Sequence, residues 1–263
     1  MNKELTLRLG FFLGTLLLIA IWEILWPRRP LAVSKAVRWY SNFGIVVLNT
    51  LFVRWVFPVL AMGMAVLAQD RKWGLFNNIE IPEEAALLIS IIILDLAIYF
   101  QHLMFHAVPR LWRLHRMHHT DLDYDVTTAL RFHPLEIILS MLIKLSVISV
   151  LGPPVLAVLV FEILLNAMAM FNHGNIRIPA GIDRVLRLFV VTPDMHRVHH
   201  SIIRKETDSN FGFSLSWWDY LFVTYRAQPQ HGHEGMTIGI ELFRKPIYSH
   251  LHWLLLQPFL DRE

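Results

Sequence analysis

The fold of this chain is decided by residues 135–171, which read LEIILSMLIKLSVISVLGPPVLAVLVFEILLNAMAMF. Two almost wholly apolar runs of 17 residues flank the sequence Gly152-Pro153-Pro154. Glycine and proline interrupt regular structure, so this pattern predicts two antiparallel helices joined by a tight turn. Runs of this length either cross a lipid bilayer or only dip into it.

Two charged residues, Lys144 and Glu162, lie in the middle of these apolar runs. Lys144 and Glu162 each lie nine residues from Pro153, on opposite sides of the turn, so they should sit at the same depth. An unpaired charge in lipid is costly. We therefore expect the two side chains to form an ion pair. The alternative is that Lys144 extends to the interface while Glu162 faces a polar cavity.

Three more apolar runs precede this hairpin, at 5–26, about 43–68 and about 85–105. Each approaches the roughly 20 residues that a helix needs to cross a bilayer. The first ends in WPRR at 26–29 without a small-residue cleavage site, which argues against a signal peptide. Of the 263 residues, 55% are hydrophobic and 17% are charged, against about 45–50% and about 25% in soluble domains. We predict an all-α integral membrane protein with four or five hydrophobic helices.

The basic residues in the loops predict the orientation. The loop after the first run has four cations and no acidic residue between 27 and 42: Arg28, Arg29, Lys35 and Arg38. The loop at 69–84 mixes both signs. Because cytoplasmic loops carry the excess of Lys and Arg, we interpret these cations as topology signals and not as a nucleic-acid-binding surface. The first loop, and a helical cap that begins two crossings later near residue 106, should face the cytoplasm.

Fourteen histidines are present, and most of them follow two spacings. His102 and His106 lie four residues apart at the end of the third run. Two copies of H-x-x-H-H follow, with the histidines His115, His118, His119, His196, His199 and His200. Residues three and four apart share one face of a helix, with Cβ atoms about 5–6 Å apart. This spacing allows the imidazoles to converge on a shared metal centre.

The remaining histidines are single or two residues apart. His133 lies between Phe132 and Pro134, and His173 lies within 171–175. For each of these two, metal ligation and another role are equally open. A spacing of two does not place side chains on one helical face, so we expect solvated or structural roles for His231, His233, His250 and His252.

The rest of the sequence excludes other kinds of site. The chain has no cysteine, hence no thiolate zinc site, iron–sulfur cluster or disulfide. The Glu-x-x-His motif of soluble di-iron bundles and the His-Glu-x-x-His motif of zinc proteases are absent. Eight to ten candidate imidazoles suit two ions, which predicts an all-histidine two-metal site at the membrane surface. The polar side chains that could hold these imidazoles in place are Asp95, Asp121, Asp123, Asp125, Glu136, Asn172, Asn175, Asp194 and Asp219.

Seven short motifs follow one another between about residue 90 and 226. They are His102-x-x-x-His106, His115-x-x-His118-His119, Arg131-Phe132-His133-Pro134, Asn172-His173-Gly174-Asn175, Thr192-Pro193-Asp194-Met195-His196-x-x-His199-His200, Asn210-Phe211-Gly212 and Trp218-Asp219-Tyr220-Leu221-Phe222. In this order they resemble the fatty acid hydroxylase / sterol desaturase superfamily. The histidine motifs are specific for that superfamily but not for a substrate.

The resemblance implies an enzyme, an O₂-dependent non-haem di-iron hydroxylase or desaturase that oxidises a C–H bond of a lipid such as a fatty acyl chain or a sterol. It implies two iron ions, O₂ as co-substrate, and electrons from a separate donor such as a reductase, a ferredoxin or a cytochrome b5-like protein. Carried over by position, the metal-binding and catalytic residues would be His102, His106, His115, His118, His119, His196, His199 and His200. His173 and His133 are added as further metal ligands; some members have a histidine pair where this chain has His173 alone.

We expect one structural unit with three parts. These are N-terminal transmembrane helices at 1–85, a catalytic domain at 86–226 and a cytoplasmic or membrane-surface tail at 227–263. Within the tail, 241–259 is interpreted either as an amphipathic helix on the membrane surface or as a segment packed against the cap. The C-terminal sequence lacks a lysine retrieval motif, which favours a bacterial inner membrane.

Other functions stay open at this point. Within the same superfamily, the chain could cleave alkyl ether lipids by hydroxylation beside the ether oxygen. A different class is a non-catalytic metal-handling membrane protein. Transporters usually carry ionisable ligands in mid-membrane, whereas these histidines cluster outside the apolar runs. A bis-histidine haem protein is disfavoured because the H-x-x-H-H motif occurs twice.

Overall fold

A computed structural model describes residues 2–261, and the chain is helical along most of this length. The α-helices are α1 (Asn2–Leu25), α2 (Lys35–Val56), α3 (Ala61–Asp70), α4 (Glu83–Ala107), α5 (Pro109–His119), α6 (Pro134–Leu151), α7 (Val155–Asn172), α8 (Ala180–Leu186), α9 (Pro193–His199), α10 (Arg204–Thr207), α11 (Trp217–Leu221), α12 (Gly232–Gly235) and α13 (Leu251–Leu256). Short 3₁₀ turns lie at Leu75–Asn77, Val126–Leu130, Pro246–Ser249 and Gln257–Phe259. Within residues 2–261 the chain forms isolated β-bridges but no β-strand.

Within the described residues, five helical stretches are long and apolar enough to cross a membrane: Lys3–Leu25, Lys35–Asn77, Glu83–Ala107, Pro134–Leu151 and Val155–Asn172. Their inner faces form an apolar core that includes Ile98, Ile148 and Phe161. Their outer faces are apolar as well; Leu17 exposes 62% and Val150 exposes 75% of its surface. Contiguous exposed apolar surface of this kind marks contact with a membrane. The predicted all-α integral membrane fold is confirmed, with five hydrophobic stretches.

The second span is broken, although the sequence pattern was interpreted as one run at about 43–68. Phe57 is extended, with φ −109° and ψ 111°, and separates α2 from α3. The cause is Pro58, because the residue before a proline is kept out of the helical region and proline lacks the N–H that a helix interior uses. The span therefore begins as α2 and ends as α3.

The two turns at one end of the bundle pack against each other. Gly152 ends α6 with φ +64°, a left-handed conformation that glycine adopts without strain. Gly74 has φ +85°, and a Cβ on Gly74 would lie 2.2 Å from the backbone nitrogen of Gly152. Both positions therefore require glycine. The helices α6 and α7 form the predicted hairpin around the turn at 152–154.

The predicted ion pair between the two arms of this hairpin is present. The Nζ of Lys144 lies 2.9 Å from Oε1 of Glu162. Arg8 of α1 approaches the other carboxylate oxygen, with its guanidinium nitrogen 2.8 Å from Oε2. Each oxygen of Glu162 thus meets a cation, which offsets the cost of placing the charge inside the bundle.

The other end of the bundle carries the cap, formed by α5, the turn at Val126–Leu130 and α8 to α12. Arg38, at the start of α2, is buried there and contacts Asp121 and Asp125, each at 2.6 Å. The linker between α1 and α2 also lies at this end, because the backbone N–H of Arg28 donates to the carbonyl of Asn175 at 3.0 Å. The basic first loop and the histidine-rich segments therefore share one end, as the two membrane crossings between them predicted.

The segment 241–259 is divided into short turns and α13. Leu254 of α13 is buried and packs in one apolar cluster with Ile45 of α2 and Met117 of α5. Of the two interpretations given for this segment, the geometry favours packing against the cap.

Candidate metal centre

Two helices that meet at a proline bring the first histidines together. The residue after α4 is extended, and Pro109 begins α5 at a position where its missing N–H is not needed. The helix α5 therefore packs back against the end of α4. The ring centroids of His102 and His115 lie 4.9 Å apart, and those of His106 and His119 also lie 4.9 Å apart.

The second H-x-x-H-H motif begins on the short helix α9. Thr192 caps this helix, since its Oγ1 accepts a hydrogen bond from a backbone N–H of the first turn, and Pro193 occupies the first position. His173 directly follows α7, and its Nε2 lies 3.2 Å from Nε2 of His196. Contacts between α7 and α9 thus bring two distant segments of the sequence into one site.

Nine histidines form two groups among residues 2–261, and within each group the ligand nitrogens all lie within 4.8 Å of one another. The five-histidine group consists of His102, His106, His115, His119 and His199. The four-histidine group consists of His118, His173, His196 and His200. All nine side chains are buried. The eight histidines of the repeated motifs and His173 are thus together in space.

His133 lies apart from both groups. It caps α6, where its Nδ1 accepts a hydrogen bond from the backbone N–H of Leu135 at 3.2 Å. The side chains of His231, His233, His250 and His252 are also outside the two groups. We therefore leave His133 out of the candidate ligand set.

Burial favours the neutral form of six of the grouped imidazoles. Loss of hydration lowers the pKa of His199 to about 3 and that of His173 to about 4, because the charged form is disfavoured away from water. Burial and then repulsion from neighbouring imidazoles hold the pKa well below its ordinary value for His118, His119, His196 and His200. Neutral imidazole is the form that binds a metal.

The donor atoms fit a pair of transition-metal ions. The Nε2 atoms of His102, His106 and His199 are buried and have no hydrogen-bond partner in the described part of the chain. Imidazole nitrogen suits iron, zinc, copper and nickel. The two groups adjoin, since the rings of His119 and His200 stack with centroids 4.6 Å apart. Two ions held by these groups would therefore be neighbours.

Hydrogen bonds to Nδ1 orient four of the rings of the five-histidine group. The Nδ1 of His102 pairs with the carbonyl of Phe211 at 2.9 Å, and that of His199 with the carbonyl of Ser209 at 2.7 Å. Two carboxylates complete the set: His115 pairs with Glu136 at 2.7 Å, and His106 with Asp208 at 3.2 Å. When Nδ1 donates in this way, Nε2 is left with its lone pair facing the group.

Aromatic packing replaces most of these hydrogen bonds in the four-histidine group. The Nδ1 of His173 pairs with the carbonyl of Ala169 at 2.8 Å. The Nδ1 atoms of His118, His196 and His200 have no partner within residues 2–261. Phe132 stacks on His118 with ring centroids 4.5 Å apart, and Tyr124 lies against His173 and His200 at 5.5 and 5.1 Å.

Of the nine polar residues expected to hold the imidazoles, Glu136 contacts one directly. Asp219 acts at one remove: its carboxylate accepts from the backbone N–H groups of Phe211 and Gly212, both at 2.8 Å, and so fixes the loop whose carbonyl binds His102. Asp208 was not expected from the sequence. The nearby motif Asn210-Phe211-Gly212 was the available signal, since it marks this loop.

The chain is similar in sequence to several known proteins. It is 32% identical to human alkylglycerol monooxygenase over 165 residues, which cover 61% of this chain and 35% of that protein. It is 24% identical over 224 residues to the ornithine lipid hydroxylase OlsE of Rhizobium tropici, covering 83% of this chain and 67% of that one. For the alkylglycerol monooxygenase of Xenopus tropicalis the identity is 26% over 240 residues, covering 89% and 50%. The chain therefore spans between about a third and two thirds of the length of these relatives. No solved structure matches it.

The family model described as fatty acid hydroxylase matches residues 87–224, which is more than half of the chain. All nine grouped histidines fall inside this match. The resemblance carried by the histidine motifs is thereby confirmed, and the chain belongs to the fatty acid hydroxylase family.

Proposed function

We propose that this protein is a membrane oxygenase in which the two histidine groups hold two iron ions, and that it inserts oxygen from O₂ into a C–H bond of a lipid. The observation that carries the proposal is the pair of adjoining groups of buried imidazoles at one end of a membrane-spanning bundle. The ligands would be the five-histidine group for one ion and the four-histidine group for the other.

Iron with O₂ supplies an oxidant strong enough for an alkyl C–H bond, while the protein supplies binding, orientation and exclusion of competing reactions. In the net reaction, one oxygen atom enters the C–H bond as a hydroxyl group. The other oxygen atom takes up two electrons and two protons and leaves as water. A separate electron donor, such as a reductase, a ferredoxin or a cytochrome b5-like protein, provides the electrons.

A cavity inside the helical bundle supports a lipid substrate. This bundle cavity has a volume of about 270 Å³ and is lined by residues of α1, α2, α4, α6 and α7. Phe132, which stacks on His118, and Glu136, which pairs with His115, both belong to its wall. An apolar chain in the cavity would therefore lie beside both histidine groups. Phe132 and Phe213 also line the cavity, and their apolar surfaces would disfavour bulk water beside the histidines.

The names of the relatives support a lipid substrate too, since they include alkylglycerol monooxygenases and an ornithine lipid hydroxylase. The 32% identity to human alkylglycerol monooxygenase favours oxidation beside an ether oxygen as a second candidate. Desaturation would use the same site. The metal-handling alternative is less well supported, because the enzyme family match covers both histidine groups.

The orientation follows from the loop charges. The linker with Arg28 and Arg29 lies at the same end as the histidine groups, and an excess of cations is typical of the cytoplasmic side. We therefore place the metal centre on the cytoplasmic side, where electron donors are accessible, and favour a bacterial inner membrane.

The test combines metal analysis with lipid mass spectrometry. The purified protein should contain two iron ions per chain and no haem absorption band. Membranes with the protein, supplied with ¹⁸O₂ and a reductant, should gain one labelled oxygen atom on one lipid class, relative to matched membranes without it. A loss of two hydrogens without label would identify a desaturase. A haem spectrum, or a single ion per chain, would contradict the proposal.

A further inference from the structure

The wall of the bundle cavity combines an apolar surface with a few polar side chains. Most of the lining is aliphatic or aromatic, as in Phe12, Ile98 and Leu165. Such a wall suits a hydrocarbon chain, and a small number of placed polar groups in an apolar pocket usually sets the orientation of the ligand. The chemistry of those polar groups therefore carries information about the substrate.

Two polar side chains of the wall, Asn49 and Glu136, each have one polar atom hydrogen-bonded within the protein and one oxygen without a partner. The Nδ2 of Asn49 donates to the carbonyl of Phe132 at 2.9 Å, which leaves Oδ1 as the remaining atom. Oε1 of Glu136 pairs with His115 at 2.7 Å, which leaves Oε2. Both remaining oxygens are buried, and neither has a hydrogen-bond partner within residues 2–261.

Gln101 adds a third oxygen of the same kind. It directly precedes His102 on α4 and lines the bundle cavity. Its Oε1 is buried and has no partner in the described part of the chain. Asn49, Gln101 and Glu136 come from three different helices, α2, α4 and α6, so the cavity itself is what these three acceptors share.

Three other polar side chains around the cavity are paired with neighbouring atoms. Lys144 is paired with Glu162. Thr50 donates from Oγ1 to the carbonyl of Val46 at 2.8 Å, and Asn166 donates to the carbonyl of Glu162 at 2.7 Å. The acceptors without a donor therefore lie towards the end of the cavity that is next to the metal centre, where Glu136 lies. Leaving buried acceptors without donors is unfavourable, so a donor in the ligand would compensate them.

We propose that the bundle cavity binds a lipid chain bearing a hydroxyl group, and that the unpaired oxygens of Asn49, Gln101 and Glu136 together form the acceptor site for the one hydrogen bond that this hydroxyl donates close to the metal centre. This rests on the proposed function and names the substrate class of that site. A polar group of the substrate fixed at this point would hold a neighbouring C–H bond at one position relative to the histidines. The three side chains would then be specificity-determining residues.

The test is a binding competition that needs no turnover. The full-length, metal-loaded protein in lipid nanodiscs binds tritiated dodecan-1-ol without O₂ or reductant, and the label is displaced by unlabelled dodecan-1-ol or by 1-methoxydodecane. The two competitors share a chain and an oxygen, but the methyl ether cannot donate. We expect the alcohol to compete at about tenfold lower concentration, the effect of one good hydrogen bond.

Variants link this preference to the named residues. Asn49→Leu and Gln101→Leu should each bring the ratio of the two competitors towards one, with metal content and melting temperature kept. Thr50→Val is the matched control, because it lies on the same wall and its hydroxyl group is used within its own helix; its ratio should stay near tenfold. Glu136 is left intact because it also holds His115.

Equal competition by the alcohol and the ether in the wild-type protein would overturn the inference, as would a preference that survives both leucine variants. Either result together with retained ¹⁸O incorporation would discard hydroxyl recognition and leave the oxygenase. A preserved tenfold preference in a protein that incorporates no oxygen would instead remove the proposed function and keep the binding site.

Discussion

The two histidine groups contain the same chemistry but are held in different ways. In the five-histidine group, four of the rings have their Nδ1 fixed by a carbonyl or a carboxylate: His102, His106, His115 and His199. In the four-histidine group, His173 has such a bond, whereas His118 stacks on Phe132 and His200 packs edge-on against Tyr124. A hydrogen bond fixes the tautomer and the rotation of a ring, whereas stacking leaves the tautomer free.

The difference indicates unequal metal binding. Partners that orient a ligating histidine typically contribute about 10–100-fold to metal affinity. The five-histidine group is therefore prepared to hold its ion firmly. The four-histidine group, in which the Nδ1 atoms of three of the four rings have no partner within residues 2–261, should hold its ion less firmly. Both ions are needed for the proposed reaction. Activity should therefore depend on how fully the weaker site is occupied.

The largest effect on activity should follow from removing one histidine ligand of either group. His115→Ala and His118→Ala should each reduce product formation to the level of membranes without the protein, because either change leaves one ion with an incomplete set of ligands. Lipid mass spectrometry after ¹⁸O₂ exposure measures this. His250→Ala is the control, since that residue is exposed and outside both groups, and it should retain activity. Full turnover by His118→Ala would contradict the two-metal assignment.

Chelation should separate the two groups. With increasing chelator, the first iron ion should leave at a concentration about 10–100-fold lower than the second, as measured by the metal content of the dialysed protein. In His196→Ala the easily removed ion should be missing after purification, while the firmly held one remains. Simultaneous loss of both ions from the wild-type protein would show that the groups bind with equal strength, contrary to the comparison.

Much of this arrangement could be predicted from the sequence, because helical periodicity determines which side chains share a face. The H-x-x-H-H spacing predicted the grouped histidines, and the equal distances of Lys144 and Glu162 from Pro153 predicted their ion pair. The approach of Arg8 could not be predicted, since it depends on how α1 packs against α7. The break at Pro58 was missed because the hydrophobic run continues on both sides of it.

The groups that hydrogen-bond to the imidazoles of the metal centre were harder to predict, for a physical reason. Three of them are backbone carbonyls, of Ala169, Ser209 and Phe211, and a carbonyl belongs to every residue. Asp208 has no sequence spacing that relates it to His106, since they lie 102 residues apart. Conversely, His133 follows a motif but serves as a helix cap. Spacing predicts local faces, while hydrogen bonds between distant segments require the fold.

A smaller effect should come from one of those supports. Asp208→Ala removes the acceptor for Nδ1 of His106 and should weaken the firmly held ion by about tenfold, the lower end of the range for such partners, because Asp208 is partly exposed and water can replace it. Asp208→Asn keeps an acceptor oxygen and should bind nearly as the wild type. The measurement is the chelator concentration that removes the second ion. An equal effect of both variants would mean that the charge, and not the hydrogen bond, supports the ring.

The smallest effect should be on stability and should come from His233. This residue supports α9 indirectly, and α9 carries His196. His233 is buried beside Asp194 of α9, with Nε2 3.6 Å from the carboxylate, and burial lowers its pKa to about 3. The unfolded chain binds a proton near pH 6.5 and the folded chain does not until about pH 3, so stability is lost as the pH falls below 6.5.

Between pH 7 and pH 6 this proton should reduce the free energy of unfolding by less than about 1 kcal/mol, and His233→Gln should lack that loss. The cations Arg28, Arg187 and Arg197 oppose protonation of His233, while Asp194 favours it, and all four are unchanged in the variant. The other histidines titrate in both proteins and cancel in the difference between the melting curves at the two pH values. An identical pH dependence in both proteins would mean that His233 is protonated or solvated in the folded state, and that α9 has no acid-sensitive support.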